Sequence, residues 1–110
     1  MNRASENETL AAAITDLFRN EFGIEVVIET CPTGGYQIET DAGASFTFEI
    51  CAPTKAAVAC AYLEHIRSVW RYALNAGNGF WRCLSTRQER QRLQDRLNRL
   101  ETWARQNLPA

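Results

Sequence analysis

No stretch of the chain approaches the run of about 20 apolar residues that a helix needs to cross a bilayer. Met1 to Glu8 is polar and acidic, unlike a secretory signal, so the cytoplasm is the expected location. Histidine is almost missing, with His65 the only one. The four cysteines, at positions 31, 51, 60 and 83, form no CxxC pair. Zinc knuckles and redox motifs rest on that short spacing, so no metal and no cofactor is expected. The thiols are expected to be reduced, buried and to act as small hydrophobes. Nucleophilic catalysis needs a nucleophile beside an oriented base. One histidine and no elbow-like turn around any serine or cysteine leave no candidate catalytic residue, which argues against an enzyme. Gly34-Gly35 and Gly77-Asn78-Gly79 lack the strand–loop–helix setting of a phosphate loop. There is no internal repeat, low-complexity tract or linker. A length of 110 residues therefore predicts one domain, 1–110, with a real hydrophobic core.

Positive charge is scarce in the first half of the chain. Residues 1–52 hold only Arg3 and Arg19 against nine acids, a net of −7. Residues 53–110 hold ten basic residues against four acids, a net of +6, so the chain as a whole carries −1. Such asymmetry marks an interaction surface, or one half lying on the other.

What is present is strong periodicity. From Pro53 to about Ala76, Ala56, Ala59, Leu63, Ile66, Trp70 and Leu74 recur at steps of three and four, which predicts a long central helix. Val58, Tyr62, Val69 and Ala73 form a second apolar stripe; Glu64, His65, Ser68, Arg71 and Tyr72 lie opposite. Pro53 suits the first helical turn and Gly77 the residue after the last. Upstream, Ser5 and Glu8 fit a capping box for a first helix. Its Leu10, Ala13, Ile14 and Leu17 face inward with Phe18 at the margin, and Gly23 ends it.

Three alternating stretches then predict strands: Ile24 to Thr30, Tyr36 to Thr40, and Ser45 to Cys51. Ile24, Val26, Ile28, Tyr36, Ile38, Phe46, Phe48 and Ile50 point inward. The turns Cys31–Gly35 and Asp41-Ala42-Gly43 are short, which implies an antiparallel meander. After Asn75–Gly79, an apolar patch, Phe80 to Leu84, is expected to plug the core. Ser85 with Gln88 and Thr86 with Glu89 are overlapping capping boxes for a last helix to about Asn107. Its seam is Leu93, Leu97, Leu100, Ala104 and Leu108, and Asp95–Arg99 and Glu101–Arg105 are i,i+4 pairs. The fold class is thus α+β. A three-stranded antiparallel sheet has one face covered by the central helix, and N-terminal and C-terminal helices pack alongside in the order α-β-β-β-α-α.

Two surfaces follow. The outward face of the sheet is expected to carry Glu25, Glu29, Glu39 and Glu49, which could imitate a phosphate backbone or meet a basic groove on a protein partner. On the last helix, Arg92, Arg96, Arg99 and Trp103 form one stripe suited to phosphate contacts and stacking, which points to nucleic acid. Leu93, Leu97 and Leu100 are also a candidate homodimer seam.

The order helix, three strands, helix over residues 5–76 is similar to the double-stranded-RNA-binding domain. That family opens its second helix with a lysine cluster. Here the helix opens Pro53-Thr54-Lys55-Ala56-Ala57, and Cys31–Gly35 has no basic residue, so the resemblance implies a topology. Gly35-Tyr36-Gln37-Ile38, then Ala44-Ser45-Phe46-Thr47-Phe48, then Pro53 to Ala57 leading into an alanine-rich helix, resembles the strand–strand–helix units of small phage-encoded proteins, anti-CRISPR proteins among them. This resemblance, over about residues 35–66, implies a non-enzymatic inhibitor. Such a protein blocks a host nucleoprotein complex, here a CRISPR effector complex, by binding it through an acidic surface. Toxin-neutralising immunity proteins share the size and the acidic face.

Overall fold

The computed structural model describes residues 3–41, 47–76 and 87–108. Its elements run α1 (Arg3–Phe22), β1 (Glu29–Thr30), β2 (Tyr36–Asp41), β3 (Thr47–Ala52), α2 (Lys55–Ala76) and α3 (Arg87–Asn107), which is the α+β order expected. The chain forms two compact units, Met1–Glu64 and His65–Ala110, with the boundary inside α2.

In the first unit, α1 starts ahead of Ser5, so Ser5 is a helical residue and not the expected N-cap. Nothing before it breaks a helix, and Ala4 favours one. The buried stripe is Ala11, Ile14, Leu17, Phe18 and Phe22, with Leu10 and Ala13 only half-buried. Phe18, expected at the margin, is fully buried at the centre. Its ring meets Tyr62 edge-on at 5.0 Å and 70°, and Phe22 at 5.8 Å. Such pairs contribute about 0.5–1.5 kcal/mol beyond their burial, which explains why the stripe turns towards Phe18. Gly23 ends the helix at φ +67°, donating its N–H to the Arg19 carbonyl at 3.2 Å. This is a left-handed C-cap.

The first strand is far shorter than expected, with only Glu29 and Thr30 in the ladder. Residues 24–28 follow the end of α1 instead. The Ile24 N–H donates to the Phe18 carbonyl at 2.9 Å, and Arg19 holds the Glu25 carboxylate at 3.2 Å. The alternation survives as burial: Val26 is buried, Glu25 and Val27 are exposed.

The sheet is an antiparallel meander, β1-β2-β3. Glu29 pairs with Gln37 and Thr30 with Tyr36; β2 pairs with β3 from Tyr36↔Ala52 to Asp41↔Thr47. Tyr36, Ile38 and Ile50 share the inner face, and Ile38 is 1% exposed. Ala42 to Phe46, and the Phe48 side chain, lie outside the described residues.

The central helix begins one position beyond Thr54. Thr54 Oγ1 accepts the Ala57 N–H at 3.1 Å, which makes Thr54 the N-cap. Pro53, expected in the first helical turn, stands just before the cap, where its fixed φ directs the chain into the helix. Ala56, Val58, Ala59, Tyr62 and Leu63 are buried in the first unit. With Ile14, Phe18 and Ile38 they form its core, and Lys55 sits 5.7 Å over the Tyr36 ring at the helix start.

In the second unit, Trp70 and Ala73 of α2 are buried, while Ser68, Arg71 and Tyr72 are exposed as the periodicity requires. On α3, Leu97, Leu100 and Ala104 are buried; Leu93 and Leu108 are half-buried. Leu97 at 5% and Leu100 at 0% exposure are already covered within the chain, so the expected dimer seam is part of the core. The expected charge pairs along α3 give way to other partners. Asp95 accepts from Gln91 Nε2 at 3.1 Å, and Glu101 accepts from Arg71 at 3.1 Å, with Arg67 at 3.9 Å. An arginine from a neighbouring helix reaches a half-buried carboxylate with less solvent competition than one on the same exposed face. Gly77, the Phe80–Leu84 patch and the caps at Ser85 and Thr86 lie outside the described residues. No helix among the described residues is long and apolar enough to cross a membrane.

Candidate functional site

Strand pairing places Glu29, Gln37 and Cys51 in one row on the outer face of the sheet, and Glu39 and Glu49 in the next row. Side chains of a strand alternate between faces, so these residues are opposite to Tyr36, Ile38 and Ile50. Glu29, Glu39 and Glu49 are exposed. Glu39 stands directly across from Glu49. Like charges at directly opposed positions destabilise a sheet by up to about 1 kcal/mol. Among the described residues, no ion pair relieves Glu29, Glu39 or Glu49.

Glu25 does not belong to this face. It precedes the ladder, and its two carboxylate oxygens accept from Arg19 Nη2 at 3.2 Å and Nε at 3.4 Å. The expected set of four is therefore a set of three on the sheet, with one carboxylate tied to α1.

The cysteines depart from the expectation of burial. Among the described residues, Cys51 is exposed, Cys31 and Cys60 are half-exposed, and these three are free thiols; Cys83 lies outside the described residues. Cys51 lies on the outer face of the sheet, and Cys31 directly follows β1. The Thr33 hydroxyl, 3.2 Å from Cys31 Sγ, and the Thr33 backbone N–H hold the Cys31 pKa below the usual thiol value, with Cys51 adding to the effect. Desolvation and the charges of Cys31 and Glu49 push Cys51 up. Desolvation, then Glu64, does the same for Cys60. Gly35 stands just ahead of β2 at φ +80°. A Cβ there would come 2.7 Å from the Ala52 carbonyl, so only glycine lets the turn approach the end of β3.

A second feature the sequence reading passed over is Lys55, the chain's only lysine. It stands at the start of α2, where the helix dipole disfavours a cation. Glu8 at 3.8 Å and the Tyr36 ring offset that cost. Together with Asn7, Pro53 and Thr54 they line a shallow groove of about 220 Å³.

On α3, Arg92, Arg96 and Arg99 are exposed and Trp103 is half-buried, so the stripe is present with its aromatic ring partly covered. Glu101, on the same helix, is engaged by Arg67 and Arg71 of α2. Among the described residues, no three His, Cys, Asp or Glu side chains gather to hold a metal ion. Comparison with family models, with curated proteins and with solved structures finds no match for this chain.

Proposed function

We propose that the protein is a non-enzymatic binding protein acting in the cytoplasm, whose outer sheet face docks on a basic surface of a protein partner. The observation that carries this reading is the Glu39–Glu49 opposition, with Glu29 beside it. The fold gains nothing from facing two carboxylates across a ladder, whereas a cationic partner would turn the same repulsion into attraction. Three carboxylates on paired strands also hold fixed spacing, as a mimic of a phosphate backbone must. The strand–strand–helix resemblance over residues 35–66 extends the reading to a phage-encoded inhibitor of the anti-CRISPR type. Its target would then be the nucleic-acid groove of a CRISPR effector complex. A toxin-neutralising immunity protein would use the same face against a basic toxin.

The test is capture of partners from nuclease-treated host lysate, with wild-type protein beside a Glu29→Gln, Glu39→Gln, Glu49→Gln variant. A stoichiometric protein retained by the wild type and lost by the variant supports the reading. A partner held equally by both would rule out this face.

A second reading rests on Arg92, Arg96 and Arg99, all exposed along one stripe of α3. Here α3 would bind nucleic acid through phosphate contacts, and binding would fall steeply with salt.

A further inference from the structure

The two edges of the sheet differ. On one side β1 ends after two residues, whereas β3 presents a six-residue edge, Thr47–Ala52, on the other. Among the described residues, no strand pairs with the far side of β3. In an antiparallel pair, one residue directs both its N–H and its carbonyl to the partner and the next directs both away. Every second residue of β3 therefore turns its backbone groups away from β2. Edge strands are ordinarily blunted by proline, by lysine, by an inward charge or by a bulge. Thr47–Ala52 has no proline and no cation, and its register with β2 runs unbroken. Its one charge, Glu49, is on the outer face.

We propose that β3 accepts an extended segment of a protein partner as a fourth, antiparallel strand, with lysine or arginine at alternate positions and apolar residues between them. This rests on the docking role of the outer sheet face and names how the partner is held. The two faces of β3 set the alternation. Ile50 and Ala52 are half-buried on the inner face, so apolar side chains of an added strand extend that layer. Glu49 and Cys51 are exposed on the outer face, where the cations of the added strand lie. On the β2 side Glu49 meets Glu39, a like charge. A cation on its other side offsets that repulsion, because opposite charges at opposed positions stabilise a ladder. A second copy of this chain fits poorly. In the antiparallel registers that match the faces with most overlap, Glu49 of one chain stands opposite or diagonal to Glu49 of the other, which repeats the clash. Main-chain hydrogen bonds along the edge supply affinity, and the alternating side chains supply selectivity.

The experiment follows amide hydrogen exchange by NMR in the full chain, free and with a short synthetic peptide that alternates lysine and valine. In the free protein, alternate amides of Thr47–Ala52 are expected to exchange fast and the others slowly. The peptide is expected to slow the fast set about tenfold or more. Two further peptides, N-methylated at the lysines or at the valines, are expected to split, one losing this effect and the other keeping it. The Glu29→Gln, Glu39→Gln, Glu49→Gln variant is expected to bind the peptide about tenfold more weakly. Protection of all six amides in the free protein means that the edge is already filled, by this chain or by a second copy, and overturns the proposal. Resonance shifts around Glu29, Glu39 and Glu49 with unchanged exchange, and no difference between the methylated peptides, overturn strand addition and leave the docking face standing. Slowed exchange with equal affinity in the variant overturns the basic character of the strand and the acidic-face reading with it. No binding at millimolar peptide overturns the proposal outright.

Discussion

Carboxylates are treated in opposite ways in the two parts of the molecule. On α3, Glu101 is half-buried and takes two guanidiniums, Arg71 at 3.1 Å and Arg67 at 3.9 Å. On the sheet, Glu39 and Glu49 are exposed and face each other. The first arrangement fastens two helices of the second unit. The second costs the first unit stability. A charge whose partner lies within the chain serves the fold; a charge set against its like on the sheet does not, and the proposed docking face rests on that difference.

The comparison breaks most visibly at the α3 seam. Leu97→Glu buries a carboxylate at a position 5% exposed, and is expected to cost on the order of 3 kcal/mol or more. Circular-dichroism melting checks it. A variant that melts like the wild type while a dimer dissociates would return Leu97 to a subunit interface. Glu101→Gln is next. It removes an ion pair whose members are partly solvated, so the expected loss is about 0.5–1 kcal/mol, read by chemical denaturation. Glu39→Gln has the opposite sign. Relieving the repulsion with Glu49 is expected to raise stability by about 0.2–1 kcal/mol, in the same denaturation experiment. If both variants lose stability alike, the contrast between the two regions disappears.

The smallest effect is on reactivity. Cys31, lowered mainly by Thr33, is expected to be alkylated by iodoacetamide ahead of Cys51 and Cys60, both raised mainly by desolvation. Its lead is widest at neutral pH. It narrows as alkaline pH ionises the other two, and all three slow as acid protonates Cys31. Thr33, Cys51 and Glu49 are the groups that set this order around Cys31. Peptide mapping after brief alkylation measures it, and equal rates at neutral pH would remove the assigned role of Thr33.

The helices and the meander were legible in the sequence because periodicity is a local property. Leu63, Trp70, Leu97 and Leu100 are buried where their spacing put them. On α1, two overlapping stripes satisfied the same spacing. Only the Phe18–Tyr62 contact, which joins residues far apart in the chain, selects the one centred on Phe18. The length of β1 was hidden for a similar reason. Alternation from Ile24 to Thr30 signals one buried and one wet face, but the ladder depends on whether a partner strand or the end of α1 claims the backbone. Glu25 left the acidic face because Arg19, six residues earlier on a helix, reaches it first. The shared outer face of Glu29, Glu39 and Glu49 was readable from parity alone. The need for glycine at position 35 was not, since it rests on a close backbone approach to Ala52 across the ladder.

The central claim is that the acidic sheet face, and not the arginine stripe, meets the partner. The direct measurement is parallel capture from nuclease-treated lysate with the Glu29/Glu39/Glu49→Gln protein and an Arg92/Arg96/Arg99→Gln protein. The account predicts at least a tenfold loss of the captured protein for the first and little change for the second, a difference of about 1.4 kcal/mol or more. Retention by the first and loss by the second would contradict it and move the binding surface to α3.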